Sequence, residues 1–111
     1  MTDAVAELSP DTFDASVGEG IWLVDFWAEW CAPCHALNSV LKDLAGELDG
    51  ARVGKVEVSI HEDLGARFEI TSLPTLIVFR DGEPVKRMFG VKSKRQLERV
   101  LGEATGSSAV E

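Results

Sequence analysis

The sequence predicts an α/β domain: a central mixed β-sheet of four to five strands flanked by about four helices. Three observations carry this prediction. Apolar runs of strand length alternate with segments whose apolar residues recur every three or four positions. Asp81-Gly82 marks a hairpin turn between the last two strands, so the sheet is not all parallel. The chain has 111 residues, 45% of them hydrophobic, which suits a single core.

Val5 to Leu8 reads as a short first strand. Ser9-Pro10 then reads as an N-cap followed by proline in the first helical turn, with Phe13 and Val17 on one face and Gly18 as the stop. Ile21 to Trp27 is a near-continuous apolar run, as expected of a central strand covered on both faces. Leu37, Val40, Leu41, Leu44 and Leu48 give an amphipathic helix over about 32–48. Val53 to Val58 is the next strand. Ser59 and Glu62 have the spacing of a capping box, with Ile60 as the staple and Leu64 and Phe68 continuing the apolar stripe. Thr75 to Phe79 and Val85 to Phe89 are the hairpin strands, and Pro84 favours an edge position for the second. Ser93 and Gln96 form another capping box, and Leu97, Val100, Leu101 and Ala104 are the buried face of the last helix. Residues 1–105 are expected to form the one domain, with 106–111 a short flexible tail.

The formal charge is −8, which argues against nucleic acid or anionic membrane as a partner bound through bulk charge. The balance is uneven: residues 1–79 hold 4 basic and 14 acidic side chains, while residues 80–99 hold 7 basic and 3 acidic. The basic stretch suits a solvated face or the steering of an acidic partner. No apolar run reaches the ~20 residues needed to cross a bilayer. The start of the chain lacks a basic and apolar leader, so a reducing cytoplasm is the expected compartment.

The two cysteines, Cys31 and Cys34, lie between the strongest strand and the longest helix. A cysteine at a helix N-terminus meets unpaired amides and the positive end of the dipole, which stabilise its thiolate. Cys31 is therefore the expected nucleophile, and Cys34, one turn on and more shielded, the resolving thiol. Pro33 suits the first turn. Three rival readings stand beside this one. Two cysteines could be structural. A zinc site would need Cys31, Cys34, His35 and His61 to converge, using every cysteine and histidine of the chain. Cys31-Ala32-Pro33-Cys34-His35 also matches the haem-attachment string C-x-x-C-H, with Met88 a possible axial ligand. Against haem, the string follows a buried strand and the core leaves no obvious haem cavity.

Val24-Asp25-Phe26-Trp27-Ala28-Glu29-Trp30-Cys31-Ala32-Pro33-Cys34, Leu73-Pro74-Thr75-Leu76, Phe79-Arg80-Asp81-Gly82 and Phe89-Gly90 together resemble the thioredoxin family, from about Leu8 to Leu101. The resemblance implies the thioredoxin fold and a protein-disulfide reductase, an electron carrier working through Cys31 and Cys34. It implies disulfide-containing protein substrates and regeneration by a thioredoxin reductase, which would carry NADPH and FAD; this chain itself would bind no cofactor and no metal. A monomer is expected. By the same resemblance, Asp25 is the buried acid that takes a proton from Cys34, with Lys55 nearby. Leu73-Pro74 is a cis-proline loop, and Trp30, Ala32, Pro33, Leu73, Pro74 and Gly90 form the substrate surface. Trp27 supports the site from the core, and Trp22 is packing. Ala32, His35, Ser39 and Ser59 depart from the commoner family residues and leave the redox potential open. Two other classes remain: a non-catalytic adaptor or chaperone domain of the same fold, and a disulfide-forming oxidant.

Overall fold

A computed structural model describes residues 4–110, with side chains described through Thr105. Five strands and four helices follow one another: β1 (Val5–Glu7), α1 (Phe13–Val17), β2 (Ile21–Trp27), α2 (Ala32–Ala45), β3 (Ala51–Glu57), α3 (Glu62–Arg67), β4 (Thr75–Arg80), β5 (Glu83–Phe89) and α4 (Lys94–Val110). The expected tail, 106–111, lies outside the residues whose side chains are described.

The strands form one sheet in the order β1-β3-β2-β4-β5. β3 pairs in parallel with both β1 and β2, because helices carry the chain back between them. β4 runs antiparallel to β2, and β5 antiparallel to β4 through the Asp81-Gly82 turn. β5 is an edge strand, as Pro84 requires. A register shift between Val78 and Phe79 sets Pro84 opposite Phe79 and relieves the ladder of its missing donor.

Alternation along β2 builds two cores. Ile21 and Leu23 face α2 and α4, where they join Leu37, Leu41, Leu44, Leu97 and Leu101. Trp22, Val24 and Phe26 face the other way, onto Phe13, Val17 and Leu64 from α1 and α3. Asp25 therefore shares the face of Leu23, the one that α2 covers.

The bounds of β1, β3, β4 and β5 differ from expectation by one or two residues, and α1, α2 and α3 depart from it more instructively. α1 begins at Phe13, not Pro10: Thr12 and Phe13 donate to the Ser9 carbonyl at 3.0 and 2.8 Å, closing a separate turn first. Thr12 is then the N-cap, without a side-chain cap bond. α2 ends at Ala45, before the expected 48, although Leu48 still packs on the core. Ser59 does not cap α3. Its hydroxyl donates to the Glu57 carboxylate at 2.6 and 2.8 Å, the cap position falls to His61, and Ile60 is 70% exposed rather than stapled. By contrast the Ser93–Gln96 box forms in both directions, at 2.9 and 3.1 Å.

Candidate active site

β2 delivers its last residue, Trp27, to the end of the sheet, and Ala28-Glu29-Trp30 turn the chain into α2. Cys31 N donates to Ala28 O at 3.1 Å, closing this turn. Cys31 is the N-cap of α2, and Pro33 occupies its first turn, where no amide donor is needed. Cys31 and Cys34 are joined by a disulfide, with Cα atoms 5.3 Å apart. Both are buried, Cys31 at 6% exposure and Cys34 at 1%. Cys34 N donates to Cys31 Sγ at 3.3 Å, so a helix amide already points at the sulfur on which thiolate charge would develop.

Trp27 and Leu73 pack on Ala28 and the two cysteines. The Leu73–Pro74 peptide is cis, as the family resemblance implies. Pro74 O accepts from Gly90 N at 3.0 Å, which ties the end of β5 to this loop. Gly90 has φ 83°, a backbone region that side chains rarely adopt. Beside Cys31 lies a cleft of ≈ 480 Å³ lined by Trp30, Ala32, Pro33, Ile70 and Leu73. Trp30 is 74% exposed at its rim. Of the expected substrate-surface residues, four thus meet in one cleft, with Pro74 and Gly90 bonded to each other next to it.

Asp25 is 1% exposed, and its Oδ1 has no hydrogen-bond partner among the described residues. Burial pushes its carboxyl up to about 7, against a smaller opposing pull from the Lys55 ammonium. Lys55 is the register partner of Asp25 on β3. Its Nζ lies 5.2 Å from the centre of the Trp27 ring and 3.9 Å from Glu7 Oε2.

Two further side chains reach the turn before Cys31. Glu57, opposite Trp27 in the β2–β3 register, accepts from Glu29 N at 2.8 Å. His35 Nε2 donates to Glu29 O at 2.6 Å, and its ring meets Trp27 edge-on with centroids 5.7 Å apart. Nothing in the local sequence marks Glu57, since its contact with Glu29 spans 28 residues. His35 stands out in the sequence as a candidate zinc ligand, as the last residue of the C-x-x-C-H string and as a departure from the commoner basic residue, but none of these signals points to Glu29. Among the described residues, no group of three His, Cys, Asp or Glu is placed to hold a metal ion.

A disulfide poised at a helix N-terminus above a buried acid-bearing strand defines a class of proteins, those that exchange thiols with disulfides. The thioredoxin family model matches residues 4–103, and the chain belongs to the thioredoxin family. It is 44% identical over 99 residues to thioredoxin of Staphylococcus haemolyticus, covering 88% of this chain and 95% of the relative. Thioredoxin of Staphylococcus saprophyticus is 43% identical over the same shares. Among solved structures, a mutant thioredoxin from Halobacterium salinarum superposes with a TM-score of 0.85 at 30% identity, covering 93% of this chain and 92% of that one. The protein is a thiol–disulfide oxidoreductase, a protein-disulfide reductase with Cys31–Cys34 as its redox-active disulfide. Neither the adaptor nor the oxidant reading is favoured by these relatives. Family membership implies a thioredoxin reductase and disulfide-bearing substrates as partners.

Proposed function

We propose that the reduced chain cleaves protein disulfides in two exchanges. The Cys31 thiolate attacks one sulfur of the substrate disulfide. A Cys31–substrate disulfide forms, and the other substrate sulfur leaves as a thiolate. Asp25 then takes the proton of Cys34, whose thiolate attacks Cys31 Sγ. The Cys31–Cys34 disulfide forms and the second substrate thiolate leaves. Two electrons have passed to the substrate, and a thioredoxin reductase carrying FAD and drawing on NADPH returns them. The cleft residues Trp30, Ala32, Pro33 and Leu73, with Pro74 and Gly90, hold an extended substrate segment, in part through the Leu73 backbone. Lys55 tunes Asp25, and Trp27 supports the turn from below. The chain acts as a monomer in the cytoplasm.

The observation that carries this reading is the Cys31–Cys34 disulfide at the start of α2, the helix that covers the face bearing Asp25. Greater exposure of Cys31 than of Cys34 supports its part as the attacking sulfur. The test is reduction of insulin disulfides by the dithiothreitol-reduced protein. Cys31→Ser should abolish turnover above the dithiothreitol background; a variant as active as the unsubstituted chain refutes the assignment.

A further inference from the structure

Glu29 is the second residue of the turn that delivers Cys31, and both its backbone polar groups are held by side chains from elsewhere. Its N–H goes to Glu57 Oε2 at 2.8 Å, and its carbonyl receives His35 Nε2–H at 2.6 Å. A carbonyl only accepts, so Nε2 is the protonated ring nitrogen. The edge contact with Trp27 fixes the ring plane of His35. Glu57 is itself anchored, accepting from Ser59 N at 2.7 Å and Ile60 N at 3.2 Å as well as from the Ser59 hydroxyl. Burial raises the Glu57 carboxyl, but its hydrogen bonds from Ser59, Glu29 and Ile60 together outweigh this and hold it below the ordinary range. It is therefore a charged acceptor at neutral pH, and bonds to charged acceptors are the stronger kind.

We propose that Glu57 and His35 are positioning residues, a two-sided clasp on Glu29 that orients the Trp30 rim beside Cys31 for protein disulfides. Trp30 is the next residue of the same turn and is 74% exposed, so the backbone of the turn, and not packing, directs its indole. A protein substrate must cover that indole while its disulfide meets Cys31. A small disulfide reaches the sulfur without using the rim. The clasp rests on the reductase reading above and names what sets its preference for protein substrates.

The experiment compares Glu57→Ala, Glu57→Gln, His35→Phe and the Glu57→Ala/His35→Phe double variant in two assays. One is steady-state insulin reduction; the other is the reaction of the reduced chain with 5,5′-dithiobis(2-nitrobenzoate). Glu57→Ala should raise the insulin KM about tenfold, with kcat within about twofold, as expected for loss of a bond to a charged acceptor. The small-disulfide rate should change by less than about threefold. His35→Phe keeps a ring against Trp27 and should raise KM by about three- to tenfold. Glu57→Gln keeps an acceptor for Glu29 N and should recover part of the loss. The double variant should be little worse than the weaker single variant, because either loss frees the same turn. An insulin KM within about twofold of the unsubstituted value in both Glu57→Gln and His35→Phe overturns the clasp, as does a parallel fall in both assays. If Glu57→Ala does not fold, the other two single variants decide. Failure of the unsubstituted chain to reduce insulin sinks the reductase reading instead, so the two failures are distinct.

Discussion

Asp25 is a carboxylic acid enclosed by the sheet and α2, and the enclosure has a thermodynamic cost. Burial lifts its pKa from 3.8 to about 7. Between those values the native chain holds a proton that the unfolded chain has released, so its contribution to stability is full below about pH 4 and is lost as pH rises through 7. A shift of this size corresponds to about 4 kcal/mol. Asp25→Asn should therefore flatten the pH dependence of unfolding between pH 4 and 7, and raise stability at pH 8 by up to about 4 kcal/mol in urea titrations. The same change should slow release of the mixed disulfide, since an amide cannot accept the Cys34 proton. In the unsubstituted chain this step should accelerate from pH 6 to 8, as Asp25 ionises. Rapid-mixing kinetics of the resolution step check this; a rate indifferent to the substitution removes Asp25 from the mechanism. Trp27 packs on the cysteines, so tryptophan emission should rise on reduction as a quenching disulfide opens. Asp25 entered through family resemblance, and its place inside the apolar run Ile21 to Trp27, expected to be covered on both faces, agrees with its burial. The Glu57–Glu29 contact was not legible in the sequence, because only the β2–β3 register brings those positions together.

Helix starts show how much a local pattern can specify. Ser93 and Gln96 satisfy each other's amides at the head of α4, as their spacing predicts. Ser93→Ala should cost about 1 kcal/mol, measured by chemical denaturation. Ser59 and Glu62 have the same spacing and make no box. Glu57, two residues before Ser59, offers a carboxylate that takes both the Ser59 hydroxyl and its amide. A strand-end carboxylate competes for the cap, and the capping pattern contains no trace of that competitor. Ile60 follows the displaced turn outward. The Ser9 boundary moved for a related reason, because the Ser9 carbonyl closes a turn before α1 can begin. The long apolar elements carried no such competition, so β2, β4 and the apolar stripe of α2 lie where their periodicity predicts.

At the scale of the molecule, β2 sends alternate side chains into both cores, so neither layer stands without it. We propose residues 1–105 as one cooperative unit on this ground. Leu23→Ala and Phe26→Ala lie on opposite faces of β2, yet each should lower stability by about 2–5 kcal/mol and leave a single calorimetric transition. Two separated transitions contradict the shared-strand account. The alternation of strands and helices was legible as a mixed sheet between helical layers. The placement of β1 beyond β3 was not, since three-residue β1 carries no pairing signal of its own. The site was legible to the extent that it is contiguous: Trp30 to Cys34 lie in one run. Leu73, Pro74 and Gly90 entered through family resemblance, and the fold brings Leu73 against the cysteines and ties Gly90 to Pro74.

The division of labour between Cys31 and Cys34 is the centre of the account, and trapping tests it most directly. Reduced Cys34→Ser, mixed with a disulfide-bearing protein and analysed by mass spectrometry, should accumulate a mixed disulfide through Cys31 that is not resolved. Reduced Cys31→Ser, which retains only the more buried thiol, should trap almost none. Equal trapping by the two variants, or trapping through Cys34 alone, contradicts the assignment.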